Sequence, residues 1–234
     1  MSRLTRFVGF KVVSADVKLP EIRIAHYFEF VHLKTLLEAL GIDCVLDVGA
    51  NRGQFGRDLR AIGYEGRIVS FEPVPRAFAD LEALTARDPL WSGHPIALGT
   101  EKKTATIHVP DETSGSSFLD PVDDLRIESV EVAVERLDAV FPTLDLGGKA
   151  PKVFLKMDTQ GFDLEVFGGA SGCIDSILGL QSELSVVPLY KGMPDYLEAL
   201  AVYEAAGFGL YNLSLVNRTP TGRILELNCY MQRH

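Results

Sequence analysis

Residues 45–55 read Val45-Leu46-Asp47-Val48-Gly49-Ala50-Asn51-Arg52-Gly53-Gln54-Phe55, and this stretch decides the fold. The apolar run from Cys44 to Val48 suits a short strand covered on both faces of a parallel sheet. Gly49 and Gly53 then let the backbone turn and come close to a ligand. A helix follows, with Phe55, Leu59 and Ile62 inward and Gly63 as its stop. Strand, glycine turn and helix in this order mark the carboxyl end of a first parallel strand. Open α/β sheets hold nucleotide-like ligands at that place.

The same alternation extends in both directions. Upstream, Tyr27, Phe30, Val31, Leu37 and Leu40 fall on one helical stripe that Gly41 ends. Downstream, Ile68–Phe71 reads as a strand, Arg76–Arg87 as a helix and His94–Leu98 as a third strand. The rhythm breaks between Gly99 and Pro142. There Thr104–Val109 and Val130–Val134 suggest extra strands, joined through a polar stretch at Thr113–Ser117, and Asp138–Phe141 suggests a helical turn. It resumes with strand Val153–Met157, helix Leu164–Phe167, strand Ile177–Val187 and helix Pro194–Ala206, the last with Leu197, Leu200 and Ala201 inward. Phe208–Val216 and Ile224–Met231 have no helix between them and should pair antiparallel. The expected fold is therefore α/β: a doubly wound, mostly parallel Rossmann-like sheet with a terminal antiparallel strand pair and a β insertion after the third strand. Residues 1–42 form an expected helical extension placed to cover the active site, and 43–234 the main domain.

Composition narrows the function classes. Of 234 residues 47% are hydrophobic and 24% charged, which suits one globular domain with its own core. A formal net charge of -9 disfavours binding to nucleic acid backbones. Cys44, Cys173 and Cys229 have no CxxC spacing and read as buried thiols of a reducing compartment. The opening MSRLTRFVGFKVVSADVKLP has basic residues but no uninterrupted apolar stretch and no small-residue cleavage site, so no export signal is expected. No apolar run reaches the length of a spanning helix, and the expected location is cytoplasmic.

A second signal stands about 20 residues beyond the glycine turn, where Glu72-Pro73 ends the next strand. An acid there can accept hydrogen bonds from ribose hydroxyls, and its charge repels a 2′-phosphate. Alone, the turn could be structural, with Asp47 merely capping it; paired with Glu72 it favours a ligand. The glycine spacing is Gly49-x-x-x-Gly53-x-x-Gly56 rather than GxGxxG. Asn51 occupies the position where a dinucleotide site needs a glycine beside the pyrophosphate. S-adenosylmethionine has no phosphate and needs no such glycine, so it is favoured over NAD.

At these residues the chain resembles the FkbM-type methyltransferases. The likeness covers about residues 44–232 and rests on VLDVGANRGQF, IVSFEPVP, HPIALGTEKKTATIHV, VERLDAVF, FLKMDTQGFDLEVFGGA and LQSELSVVPLY, in that order. The resemblance implies a class I methyltransferase sheet and methyl transfer from S-adenosylmethionine, usually to hydroxyl oxygens of sugars, glycolipids or small metabolites. It also implies that Asp47, Gly49, Ala50, Asn51 and Gly53 surround the methionine part, that Glu72 holds the ribose, that Pro73 belongs to the cofactor site, and that residues near Ala97 and Leu98 flank the adenine. Gln160 stands where many members carry Glu, and an amide cannot act as a base there.

A hydroxyl nucleophile must still lose a proton. Asp158, expected at the cofactor's sulfonium end, is the first candidate for base or orienter. His26 is the second, because it precedes a helix that could cover the pocket, although a lone histidine there is more often surface or packing. Glu183 is costly to bury in an apolar strand without a partner, so it belongs either to the substrate pocket or to an ion pair with Lys156. Asp163 and Glu165 read as favourable charge at a helix start. Asp158, Glu183 and Asp163 could present oxygens to a divalent cation, but no ligand spacing demands one, and no metal is expected. The polar loop around Ser114, Ser116 and Ser117 is either a lid over substrate or a solvated turn. The expected partner is a small-molecule or glycan hydroxyl acceptor. The alternatives are a non-catalytic S-adenosylmethionine-binding scaffold, methylation of RNA or protein, and a nicotinamide oxidoreductase.

Overall fold

The computed structural model describes residues 21–111, 113–120 and 127–234. The export-signal reading and the first part of the 1–42 extension fall on residues outside these. A seven-stranded sheet forms the frame. Its strands are β1 (Cys44–Val48), β2 (Arg67–Phe71), β3 (Trp91–His94), β7 (Val153–Met157), β8 (Ile177–Ser185), β9 (Phe208–Arg218) and β10 (Ile224–Arg233), in the order β3-β2-β1-β7-β8-β10-β9. The strands from β3 to β8 are parallel, and β10 joins both β8 and β9 antiparallel. Strand order reverses between β1 and β7, so the crevice over their carboxyl ends is the switch point of the sheet.

The insertion makes a second, three-stranded sheet of β4 (Ala97–Leu98), β5 (Lys103–Pro110) and β6 (Ile127–Glu135) in the order β4-β6-β5. Here the expected single strand His94–Leu98 is corrected. It breaks at Pro95, which has no N–H for a ladder, so β3 ends in the main sheet and β4 begins in the insertion.

Helices α1 (Glu21–Leu40), α2 (Gln54–Ala61), α3 (Pro75–Thr85), α4 (Leu137–Val140), α5 (Asp163–Gly168) and α6 (Tyr196–Ala205) complete the described elements apart from short 3₁₀ turns. On one face, Phe30, Leu33, Leu36 and Leu37 of α1 and Leu59 of α2 pack over Val45, Ile68, Phe154 and Tyr230. On the other, Val166, Phe167, Ala199 and Tyr203 of α5 and α6 cover Leu46, Leu155, Leu180 and Cys229. Two helical stripes differ from expectation. In α1, Tyr27 and Val31 point outward and Leu33 and Leu36 take the core positions. In α6, Leu197 and Ala201 are exposed while Ala199 and Tyr203 are buried. Tyr203 sets that rotation: its ring sits against Phe167 and its hydroxyl donates to Ser182 Oγ at 2.8 Å. Cys44, Cys173 and Cys229 are buried and unpaired. Among the described residues, no helix is long and apolar enough to cross a membrane.

Candidate active site

The glycine turn is held between its neighbouring strands. Gly49 and Ala50 both donate N–H groups to Phe71 O, at 3.1 and 3.0 Å, and Asp158 N donates to Val48 O at 3.1 Å. Gly49 has φ +75°, and a Cβ on it would stand 2.0 Å from the carbonyl oxygen of Asp158. A side chain at residue 49 would therefore push the turn away from the backbone that follows β7. Gly56 serves packing instead, because a Cβ there would enter the Trp91 ring at 2.2 Å.

The two acids expected from sequence have different surroundings. Glu72 is buried, and each of its carboxylate oxygens accepts one backbone N–H at 2.8 Å, Oε2 from Asn51 and Oε1 from Val74. Burial pushes its carboxyl up to about 7 in spite of those two donors, which pull it down. Asp47 is fully buried and faces a cation: Lys156 Nζ lies 2.9 Å from its Oδ1, and Ser70 Oγ donates to its Oδ2 at 3.1 Å. Burial alone would lower the Lys156 pKa, but the carboxylates of Asp47 and Asp158 outweigh it and hold the ammonium above the usual lysine range. Lys156 Nζ also donates to Gly49 O at 3.1 Å, lies 3.6 Å from Asp158 Oδ2, and stands 5.4 Å from the centre of the Phe55 ring.

Above these groups opens a cleft of about 260 Å³. Among the expected site residues, Gly49, Ala50, Asn51, Glu72, Pro73, Ala97, Leu98, Asp158 and His26 line it. Phe71, Ile96 and Ile107 extend its apolar end, while Lys156, Thr159 and Gln181 lie at its other end. Asp47, Gly53 and Glu183 do not line it. Asp47 is turned toward Lys156 below the turn. Gly53 is turned toward Leu81, Leu84 and Trp91. Glu183 is held behind Gln160, whose Nε2 donates to its Oε2 at 2.6 Å. Of the two readings of Glu183, the ion pair with Lys156 gives way to this amide contact, and Lys156 pairs with Asp47 instead.

Gln160 organises the far side of the site. It holds φ +53°, donates from Nε2 to Asp158 Oδ1 at 3.3 Å as well as to Glu183, and its Oε1 lies 3.1 Å from Tyr190 Oη. Burial, with Asp158 and Glu226 close by, raises the Glu183 pKa well above the usual carboxylate range. Asp163 does more than sit at the start of α5. It accepts from Thr159 N at 2.9 Å, Ser182 Oγ at 2.7 Å and Glu183 N at 3.1 Å, and so ties the 158–161 turn to β8.

His26 stands at the mouth of the cleft, half exposed, with Nε2 3.3 Å from Asp58 Oδ2 and Nδ1 3.8 Å from Glu29 Oε2. The insertion closes another side: Thr113 Oγ1 donates to Asn51 Oδ1 at 2.6 Å, Phe118 rests on Phe162, and Ser117 Oγ donates to Gln160 O at 2.8 Å. Sequence reasoning missed Gln181, Asn228 and Glu29, which also line the cleft. For Gln181 the available signal was a polar residue on the buried face of an apolar strand. Ser70, Asp47, Lys156, Gln181 and Tyr230 stand side by side at one level across β2, β1, β7, β8 and β10.

The profile of the methyltransferase FkbM domain matches residues 47–210. Among solved structures, magnesium protoporphyrin IX methyltransferase from Synechocystis PCC 6803, with bound SAM, is similar with a TM-score of 0.51 at 12% identity, covering 99% of this chain and 90% of that one. The N-methyltransferase NodS from Bradyrhizobium japonicum WM9 gives 0.51 at 8% identity, with 92% and 99% covered. WbdD gives 0.52 at 16% identity, with 94% of this chain and 42% of that one covered. At such identities the likeness is one of fold. No curated protein matches the sequence significantly.

Proposed function

The chain belongs to the FkbM methyltransferase domain family, and we propose that it moves a methyl group from S-adenosylmethionine to a hydroxyl of a small metabolite, sugar or glycolipid. One observation carries this reading: a cleft at the switch point has a wall with no room for a Cβ at Gly49 and a buried carboxylate at the tip of the next strand. These features fit an adenosyl ligand. Glu72 would accept from the ribose hydroxyls, Pro73, Ala97 and Leu98 with Phe71 and Ile96 would enclose the adenine, and Gly49, Ala50 and Asn51 would border the methionine part. When bound, S-adenosylmethionine supplies an activated methyl group on a sulfonium.

The protein's part is alignment and proton removal. Asp158 lines the cleft with its side chain about 41% exposed, so an acceptor hydroxyl can reach it. As base it would contribute on the order of 10²–10⁴-fold. Gln160 holds Asp158 Oδ1, and Glu183 holds Gln160, so Glu183 acts as a positioning residue. His26, paired with Asp58 at the mouth, is the second candidate for the proton. The buried unpaired thiols suit a cytoplasmic setting.

Thermal shift with S-adenosylmethionine and with NADH tests the cofactor, and release of S-adenosylhomocysteine with sugar and glycolipid acceptors tests the reaction. Stabilisation by NADH alone would overturn the reading, and binding without turnover on any acceptor would point to a scaffold. Glu72→Ala is expected to weaken cofactor binding far more than Asp158→Ala, and the opposite order would reverse the assigned roles.

A further inference from the structure

The lining of the cleft includes polar residues that neither the ribose nor the adenine assignment uses. They are Gln181 on β8, next to Lys156 on β7, Glu29 of α1 and Asn228 of β10. Gln181 is 5% exposed, and its carboxamide oxygen has no hydrogen-bond partner among the described residues. An unmet acceptor at that depth is costly, so a donor arriving with a ligand would recover that loss. Glu29 adds negative charge. Its Oε1 accepts from both Asn228 Nδ2 and Tyr230 Oη at 2.6 Å, while its Oε2 is turned toward His26.

The neighbouring cation completes the pattern. Lys156 Nζ donates to Gly49 O at 3.1 Å and Val48 O at 3.4 Å, and stands 2.9 Å from Asp47 Oδ1 and 3.6 Å from Asp158 Oδ2. An acceptor-rich end thus stands beside a buried cation. This arrangement complements a zwitterion rather than a simple cation or anion.

We propose that Gln181 recognises the α-amino acid end of the bound cofactor: its Oε1 accepts from the α-ammonium near Glu29, and the α-carboxylate lies toward Lys156. This rests on the cofactor reading above. It assigns a binding role to β8, a strand on which sequence analysis had singled out only Glu183.

Binding of S-adenosylhomocysteine and of 5′-methylthioadenosine, which lacks the amino acid end, tests it by calorimetry on the wild type, Gln181→Leu and Gln181→Glu. Gln181→Leu should lose S-adenosylhomocysteine affinity by about tenfold or more, with methylthioadenosine changed less than about twofold. Gln181→Glu keeps an acceptor oxygen and should retain most of the affinity. Equal loss of both ligands in Gln181→Leu would mean a disturbed site and overturn the proposal, as would an unchanged affinity for S-adenosylhomocysteine. If neither compound binds the wild type, the cofactor reading itself fails and the proposal falls with it. That outcome is distinct from a binder indifferent to residue 181.

Discussion

Two buried carboxylates at the ends of adjacent strands are stabilised in opposite ways, and each makes a different experiment decisive. Asp47 has a cation: removing it with Lys156→Met leaves a buried charge beside only the Ser70 hydroxyl. We expect a loss of about 3–5 kcal/mol in urea unfolding, largely restored in the double variant Asp47→Leu/Lys156→Met. Equal instability of single and double variants would show that the lysine acts through packing on Phe55. Among the described residues Glu72 has no cation in contact, only two N–H donors, and burial lifts it to about 7. Between its unfolded value near 4.5 and about 7 the folded chain holds the proton the unfolded chain has lost. Its contribution to stability therefore falls as pH rises through that window and is flat above it. Ribose hydroxyls need the ionised form as acceptor, so cofactor affinity should rise over the same interval. Thermal melts and calorimetry from pH 5.5 to 8.5 should show the two trends crossing, and Glu72→Gln should flatten both. Parallel trends in the wild type would remove Glu72 from the ligand.

The glycine turn and the insertion meet at Asn51, and this junction separates what sequence could show from what it could not. A run such as CVLDV followed by glycines announces its own geometry, because a strand buried on both faces and a turn with positive φ both leave marks on residue type. Gly49, Asn51 and Gly53 all have positive φ. The contact of Thr113 with Asn51 leaves no such mark, since the two residues are brought together only by the docking of the second sheet on the first. For the same reason the sequence suggested Lys156 as a partner for Glu183 but not as the counter-ion of Asp47, which depends on β1 and β7 being neighbours in register. Helix faces failed where one large residue set the rotation, as Tyr203 does in α6. Two variants test the junction. Gly49→Ala should abolish cofactor binding and destabilise the fold, since its Cβ meets backbone and not a movable side chain. Thr113→Val should leave the melting temperature nearly unchanged and speed cofactor release several-fold in stopped-flow measurements. A large drop in melting temperature with unaltered release would make the contact structural only.

Across the whole chain, the polar row beneath α1 joins the first described helix to the last strand. Glu29 on α1 accepts from Asn228 and Tyr230 on β10, so the two ends of the described chain are held by one buried carboxylate. Phe30, Leu33, Leu36 and Leu37 add an apolar seal over the same sheet face. A helix fastened in this way should unfold with the sheet and not ahead of it. Glu29→Ala leaves a buried hydroxyl and an amide without their acceptor, and should cost about 2–4 kcal/mol. Trp91 is the single tryptophan and sits at the opposite side of the sheet from β10, in contact with α2 and hydrogen-bonded to Ser70. Its fluorescence therefore reports on the part of the molecule that Glu29 does not touch. If the extension and the main domain form one cooperative unit, Glu29→Ala shifts the Trp91 midpoint and the far-ultraviolet dichroism midpoint together. An independent extension would instead show an early loss of helical signal while the Trp91 transition stayed where it was. Cooperative behaviour would also explain how a ligand in the cleft, touching α1 through His26 and Glu29 and β2 through Glu72, could stabilise both ends of the sheet at once.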